Sequence, residues 1–232
     1  MSTTAAVDVA VIGGGLAGAP LAVALAQAGL TVAVVEASPP PAPGVADDAL
    51  DARVSAVNEA SENVLRNLGV WPLLPRDRVT PYHGMRVWDG TGAGAVRFDA
   101  DSVGVAHLGA IVENRVLLAA LAARLEQLPA VSWHRPSRLQ GFQAGPAGVT
   151  LRLGPEPAVI EARLVVGADG ARSRVRELAG IEIVESPYGH DALVALVSLA
   201  RPHGHVAYQR FLDTGPLAFL PMPRDHCAVV WS

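Results

Sequence analysis

The chain has 232 residues, of which half are hydrophobic and 17% charged, and its net charge is −4. Such a composition is too apolar for a disordered segment, and the absence of a basic stripe argues against nucleic-acid binding. A lone cysteine, Cys227, excludes an intrachain disulfide framework; it fits a reducing compartment and, inside an apolar run, reads as a buried structural thiol.

Residues 7–36 carry the strongest local signal. Val7–Ile12 is a β-branched apolar run suited to a buried parallel strand. Gly13, Gly15 and Gly18 then fall on G-x-G-x-x-G. In that pattern the first glycine permits a tight turn, the second a close backbone approach to a pyrophosphate, and the third helix–strand packing. The helix that follows aims its N–H groups at the same anion. Thr31–Val35 is a second strand, and Glu36 ends it 18 residues beyond Gly18, where a carboxylate can hold a ribose diol. The motif marks a dinucleotide site without choosing between FAD and NAD(P). Val9–Val35 carries no charge, yet its glycines and Pro20 divide it into strand, helix and strand, so it is not a transmembrane helix. No basic segment precedes it, which argues against a signal peptide. The expected location is cytoplasmic, with a peripheral membrane contact left open.

Residues 38–50 form a proline-rich loop. In the next segment Ser55 is a candidate N-cap, Val57, Val64, Leu65 and Leu68 share one helical face, and Gly69 suits the helix end. Arg53, just before it, is either a solvated loop arginine or a cation over a flavin or phosphate. Residues 72–83 read as a linker. Met85–Asp89 and Ala95–Asp99 flank a glycine turn as a β-hairpin that belongs to a second sheet. Residues 109–127 lead into a helix, on which Val116, Leu117, Leu121, Leu125 and, just beyond, Leu128 make a stripe. Arg115 in its first turn opposes the helix dipole, so either an external anion or a surface salt bridge compensates it.

Val131–Trp133, Arg138–Ala144, Val149–Leu153 and Ala158–Glu161 read as a parallel strand and a small meander, and Arg163–Gly167 as another buried strand. Asp169 and Gly170 follow that strand and open a short helix closing at Gly180. A carboxylate there can face a ligand, cap the helix, or do both. From Ile181 onward, Ala192–Leu199, His205–Phe211, Pro216–Pro221 and Ala228–Trp231 suggest an antiparallel sheet. The expected domains are 1–180, with the 84–100 hairpin lent to the second sheet, and 181–232. The last strand ends abruptly, which leads us to expect an incomplete second domain. His203 and His205 have same-face strand spacing, but no third ligand accompanies them and no metal site is expected. No Ser-His-Asp constellation is evident.

Taken in order, GGGLAG (13–18) with Glu36, DARVSAVNEAS (51–61), LGAIVENRVLLAAL (108–121), VGADGARSRVRELAGI (167–181) and YQRFLDTGPLAFLPMP (208–223) resemble the FAD-dependent aromatic hydroxylases of ubiquinone biosynthesis. These are flavoprotein monooxygenases of the para-hydroxybenzoate hydroxylase fold. The resemblance implies an α/β protein: a Rossmann-like FAD-binding domain, with parallel sheet and β-meander, joined to a mainly antiparallel substrate-domain sheet. It implies that Gly13, Gly15, Leu16, Ala17 and Gly18 cradle the FAD pyrophosphate, that Glu36 holds the adenosine ribose, and that Arg53 and Arg115 approach the flavin. Asp169 and Gly170 match a motif associated with FAD and NAD(P)H, and Tyr208–Phe211 would line the substrate side. The implied reaction hydroxylates the ring of a polyprenylated phenol or quinol, with NAD(P)H as co-substrate and molecular oxygen consumed; a ubiquinone-biosynthesis complex is a further implied partner. The resemblance assigns no catalytic side chain. The family's downstream GD motif has no counterpart here, so a truncated chain is expected. The alternatives are a non-catalytic fragment or accessory protein of the same fold, another flavin-dependent aromatic hydroxylase, or an NAD(P)-dependent dehydrogenase without flavin.

Overall fold

The computed structural model describes residues 4–39 and 49–232. In chain order the first elements are β1 (Thr4–Ile12), α1 (Gly18–Gln27), β2 (Val32–Val35), β3 (Val54–Asn58) and α2 (Glu59–Asn67). Two 3-10 turns lead to β4 (Val79–Tyr82), β5 (Gly84–Asp89), β6 (Ala95–Asp99), α3 (Ala100–Val103), β7 (Gly109–Glu113) and α4 (Asn114–Glu126). Then follow β8 (Val131–His134), β9 (Arg138–Gly145), β10 (Gly148–Gly154), β11 (Ala158–Gly167) and α5 (Arg174–Leu178). The last strands are β12 (Leu193–Ser198), β13 (Val206–Leu212), β14 (Gly215–Met222) and β15 (His226–Trp231).

Contacts gather the chain into two compact units, Met1–Ala42 with Leu118–Glu185 and Pro43–Leu117 with Ser186–Ser232. This division differs from the expected one, in which only residues 84–100 crossed over. The reason lies in strand pairing: β3, β7 and β4 form a sheet of their own.

The first unit is built on a six-stranded sheet of order β8-β2-β1-β11-β10-β9. Its β8, β2, β1 and β11 are parallel, while β10 and β9 continue it antiparallel. Both faces of β1 are covered, with Val9 and Val11 on one and Ala10 and Ile12 on the other. That burial explains the apolar run Val9–Ile12, since each valine or isoleucine side chain removed from water contributes roughly 1.5–3 kcal/mol. Ile12, Val35, Leu139, Leu151 and Ile160 share one core cluster. The two segments expected at 158–161 and 163–167 are one strand, β11, antiparallel to β10 and parallel to β1. Its second half is not buried as expected: Leu164 is 55% exposed.

The second unit contains a three-stranded sheet, β3-β7-β4, and a six-stranded sheet, β12-β15-β14-β13-β5-β6. The latter holds the expected hairpin and is antiparallel except where β13 runs parallel to β5. Ile111, Met222 and Ala228 form a small core, packed by Val54, Tyr82, Leu196 and Leu220. Several local expectations change here. Ser55 lies within β3 and donates to Asn114 Oδ1 at 2.6 Å, while Asn58 caps α2 by accepting the Ser61 N–H. Pairing of Ser55 with Val112 holds the chain extended through the expected cap. On α2 the buried face carries Glu62, and Val64 is 53% exposed. The expected linker 72–83 contains β4, and the segment 109–127, read only for its helix, opens with the buried strand β7.

Candidate dinucleotide site

The site in the first unit follows from strand order. Because β2, β1 and β11 are parallel neighbours, with Ile12 opposite both Val35 and Gly167, their carboxyl ends reach the same sheet edge. Gly13 N–H donates to Val35 O at 2.8 Å, and Ala168 N–H to Ile12 O at 2.7 Å, closing that edge. The loops beyond it enclose a cleft of about 620 Å³ lined by Gly13, Gly15, Glu36, Asp169 and Gly170 among others. Open α/β sheets bind ligands at this edge.

Each motif glycine has its own physical reason. Gly13 has φ +106°, and a Cβ there would lie 2.3 Å from Ala168 O. One on Gly18 would lie 1.9 Å from Gly13 O, so only glycine lets α1 approach the β1 end this closely. Gly15 differs, since a Cβ there would meet nothing within 4 Å, and the residue borders the cleft. Leu16 beside it is 41% exposed, and Ala17 is the N-cap of α1 with no side-chain capping bond. The first turn of α1 carries no acidic residue either. Within that turn the Ala19 N–H donates to Gly15 O at 3.0 Å and Pro20 has no N–H, so it is the Gly18 N–H that is left to an external anion or to water.

Glu36 accepts the Gly14 N–H through Oε2 at 2.8 Å and the Ser38 N–H through Oε1 at 2.7 Å. Asp169 serves the start of α5: Oδ1 accepts the Ser173 hydroxyl at 2.5 Å, and Oδ2 accepts the Arg174 and Val175 N–H groups at 2.6 and 3.2 Å. Ser173 is the N-cap itself. Helix capping, one of the two roles open for Asp169 in the sequence, is thus made by its side chain.

A family model described as FAD binding domain matches residues 6–215. The chain belongs to the FAD-binding-domain family. It is 39% identical to 3-demethoxyubiquinol 3-hydroxylase of Escherichia coli K12, covering 97% of this chain and 56% of that protein. The ubiquinone hydroxylase UbiL of Rhodospirillum rubrum is 40% identical, with 97% and 51% covered. Human mitochondrial ubiquinone biosynthesis monooxygenase COQ6 is 32% identical, with 100% and 52% covered. The chain spans about half the length of the curated relatives it matches. Among solved structures, Pseudomonas aeruginosa PqsL in complex with 2-aminobenzoylacetate superposes with a TM-score of 0.79 at 24% identity, covering 97% of this chain and 60% of that one. Aklavinone-11 hydroxylase in a ternary complex with FAD and aklavinone gives 0.68 at 26% identity, covering 97% and 45%.

For an FAD-binding-domain chain the cleft fits the adenosine–diphosphate half of the cofactor. Gly15 leaves space at the turn, α1 starts without a side-chain cap at the Gly18 N–H, and each Glu36 oxygen keeps a lone pair after accepting one N–H. Arg53 and Arg115 belong to the second unit. The Arg53 side chain is exposed and has no partner among the described residues; its backbone is held by Asp51 Oδ1 and by the Asn114 N–H. Arg115 is in an ion pair, Nε to Glu113 Oε2 at 3.0 Å, and also donates to Ala49 O. Salt-bridge compensation, one of the two readings open in the sequence, is therefore present at Arg115. Of Tyr208–Phe211, Tyr208 packs edge-on against Trp88 at 6.3 Å, Arg210 donates to Gly90 O, and Phe211 is 50% exposed.

Two features escaped the sequence reading. Glu113 is fully buried and binds Arg78 through two parallel bonds of 2.7 and 2.8 Å, the Asp51 N–H at 2.7 Å, and Arg115. It therefore sets the position of Arg115. Ser137, Arg138 and Gln140 line the cleft because they follow β8, a fourth parallel strand ending at the same edge, and the Ser137 N–H donates to Glu36 O at 2.8 Å. The usable signal was positional: the loop after every parallel strand borders the crevice. His203 has no free ring nitrogen, because Nε2 donates to Met222 O at 3.0 Å and Nδ1 accepts the His205 N–H.

Proposed function

We propose that the chain is the FAD-holding and substrate-sheet portion of an FAD- and NAD(P)H-dependent monooxygenase that hydroxylates the ring of a polyprenylated phenol or quinol in ubiquinone biosynthesis. The observation that carries this is the cleft at the ends of β2, β1 and β11, with Gly15 open to it, in a chain whose residues 6–215 match an FAD binding domain. Gly13, Gly15, Leu16, Ala17 and Gly18 hold the pyrophosphate with the N–H end of α1. Glu36 accepts the ribose hydroxyls through its remaining lone pairs. Asp169 shapes the loop carrying Gly170, whose backbone borders the same cleft. The family resemblance assigns Arg115, braced by Glu113, and Arg53, whose side chain has no partner among the described residues, to the flavin.

FAD, when bound, supplies reduction by NAD(P)H and the activation of molecular oxygen. The chain's contribution is to hold the cofactor and position the ring of the substrate. Relatives named for ubiquinone biosynthesis support a lipophilic phenolic substrate. Such a substrate favours work at the membrane periphery or within a biosynthetic complex, and the single cysteine favours a reducing, cytoplasmic compartment; no described helix is long and apolar enough to cross a membrane.

Titration of the chain with FAD tests the reading. Saturable quenching of flavin fluorescence, weakened by Glu36→Ala, is the expected result. Selective binding of NAD(P) without FAD would replace it with a dehydrogenase-type nucleotide site. For the protein with its full natural length, phenol-stimulated NAD(P)H oxidation is the matching test of the reaction.

A further inference from the structure

We infer that Arg138 and Arg172 clamp the diphosphate of the bound dinucleotide, an inference that rests on the FAD reading above. Both residues line the cleft together with Gly15, Glu36, Asp169 and Arg174. They arrive from separate segments, Arg138 at the first position of β9 and Arg172 in the turn before α5.

The charges of the cleft do not neutralise one another. Glu36 accepts the Gly14 and Ser38 N–H groups, and Asp169 accepts the Ser173 hydroxyl and the Arg174 and Val175 N–H groups, so neither carboxylate is ion-paired with a cleft arginine among the described residues. Arg174 is engaged by Glu177 Oε1 and by the Gln140 carbonyl at 3.3 Å. The side chains of Arg138 and Arg172 are exposed and have no hydrogen-bond or ion-pair partner among the described residues. The cleft thus offers two guanidinium forks without a partner among the described residues, beside a helix N-terminus without a side-chain cap, while neither carboxylate is ion-paired to them. A diphosphate meets that arrangement: it carries the opposite charge, and its paired oxygens match the planar fork of arginine. Neither an adenine ring nor a ribose needs two such cations.

The test titrates the 232-residue chain and its Arg138→Gln, Arg172→Gln and Arg138→Lys variants with FAD, ADP and adenosine. Each glutamine variant should weaken FAD and ADP about 10-fold, the size of one lost charge-assisted bond, and flatten the salt dependence of binding. The lysine variant should fall between, because it keeps the charge and loses the fork. Adenosine, with base and ribose but no phosphate, should bind every variant like the parent. Thermal melts of each variant should match the parent, because both side chains are exposed. Unchanged FAD and ADP affinity in both glutamine variants would overturn the clamp while leaving the FAD reading standing. Equal losses for adenosine would also overturn it, because the effect would then not be on phosphate. Failure of the parent to bind FAD or ADP would remove the FAD reading and the clamp together.

Discussion

Glu36 Oε2 accepts the Gly14 N–H at 2.8 Å, so the acid at the end of β2 is tied to the glycine turn at the end of β1. The two halves of the nucleotide motif, 22 residues apart, are one hydrogen-bonded unit before any ligand arrives. Sheet pairing makes this possible, because Ile12 and Val35 are register partners.

Glu36→Ala removes the acceptor of two backbone N–H groups as well as the ribose contact. Chemical denaturation should show a loss of about 1 kcal/mol, at the low end because water can reach this partly buried site. FAD affinity should fall at least roughly 10-fold in the same protein. A variant as stable and as tight as the parent would remove Glu36 from both roles.

The motif glycines separate packing from binding. Gly18→Ala forces a Cβ to 1.9 Å from a backbone oxygen that cannot swing away. It should cost about 3 kcal/mol or more and lower the melting temperature by several degrees. Gly15→Ala meets no atom within 4 Å, so its stability should stay within about 0.5 kcal/mol of the parent. Its FAD titration should nevertheless weaken, since the added methyl occupies the cleft.

Arg78→Met leaves Glu113, fully buried, without its bidentate partner. Urea unfolding should register a loss of about 3–5 kcal/mol. Combining it with Glu113→Gln should cost less than the sum of the two single changes, because the uncompensated carboxylate is then gone. Strict additivity would show that the pair is not coupled.

Burial of Glu62 opposes its ionisation, yet the hydrogen bonds from His107 and Arg66 outweigh burial and hold its carboxyl below the usual glutamate value. A depressed carboxylate stabilises the fold above its unfolded pKa and loses that contribution as pH falls through the folded one. Stability from this group is therefore full near neutrality and declines below about pH 4.5. Urea midpoints at pH 7 and at pH 3.5 should differ less in Glu62→Gln than in the parent. An identical acid loss in both proteins would assign the decline to other carboxylates.

The β1–α1–β2 unit was legible because all its signals are local: a β-branched run, three glycines, an apolar helix and an acid at fixed spacing. The hairpin of β5 and β6 and the strands from 193 onward were legible for the same reason. By contrast, β7 was hidden, since GAIVE runs straight into the stripe of α4 and nothing in the sequence marks where a buried strand becomes a helix. Ser55 and Asn58 are equally good caps in isolation; pairing of Ser55 with Val112 across the sheet decided for Asn58.

The sequence by itself determined the nucleotide motif, the α/β class with its added antiparallel sheet, and the family. Only the tertiary structure decided what the charged residues do. Glu113 with Arg78, Glu62 with His107, and the convergence of Arg138 and Arg172 on one cleft join residues 34 to 45 positions apart. Local propensity acts over a few residues, whereas an ion pair or a cleft depends on which strands become neighbours, and only the paired sheets settle that.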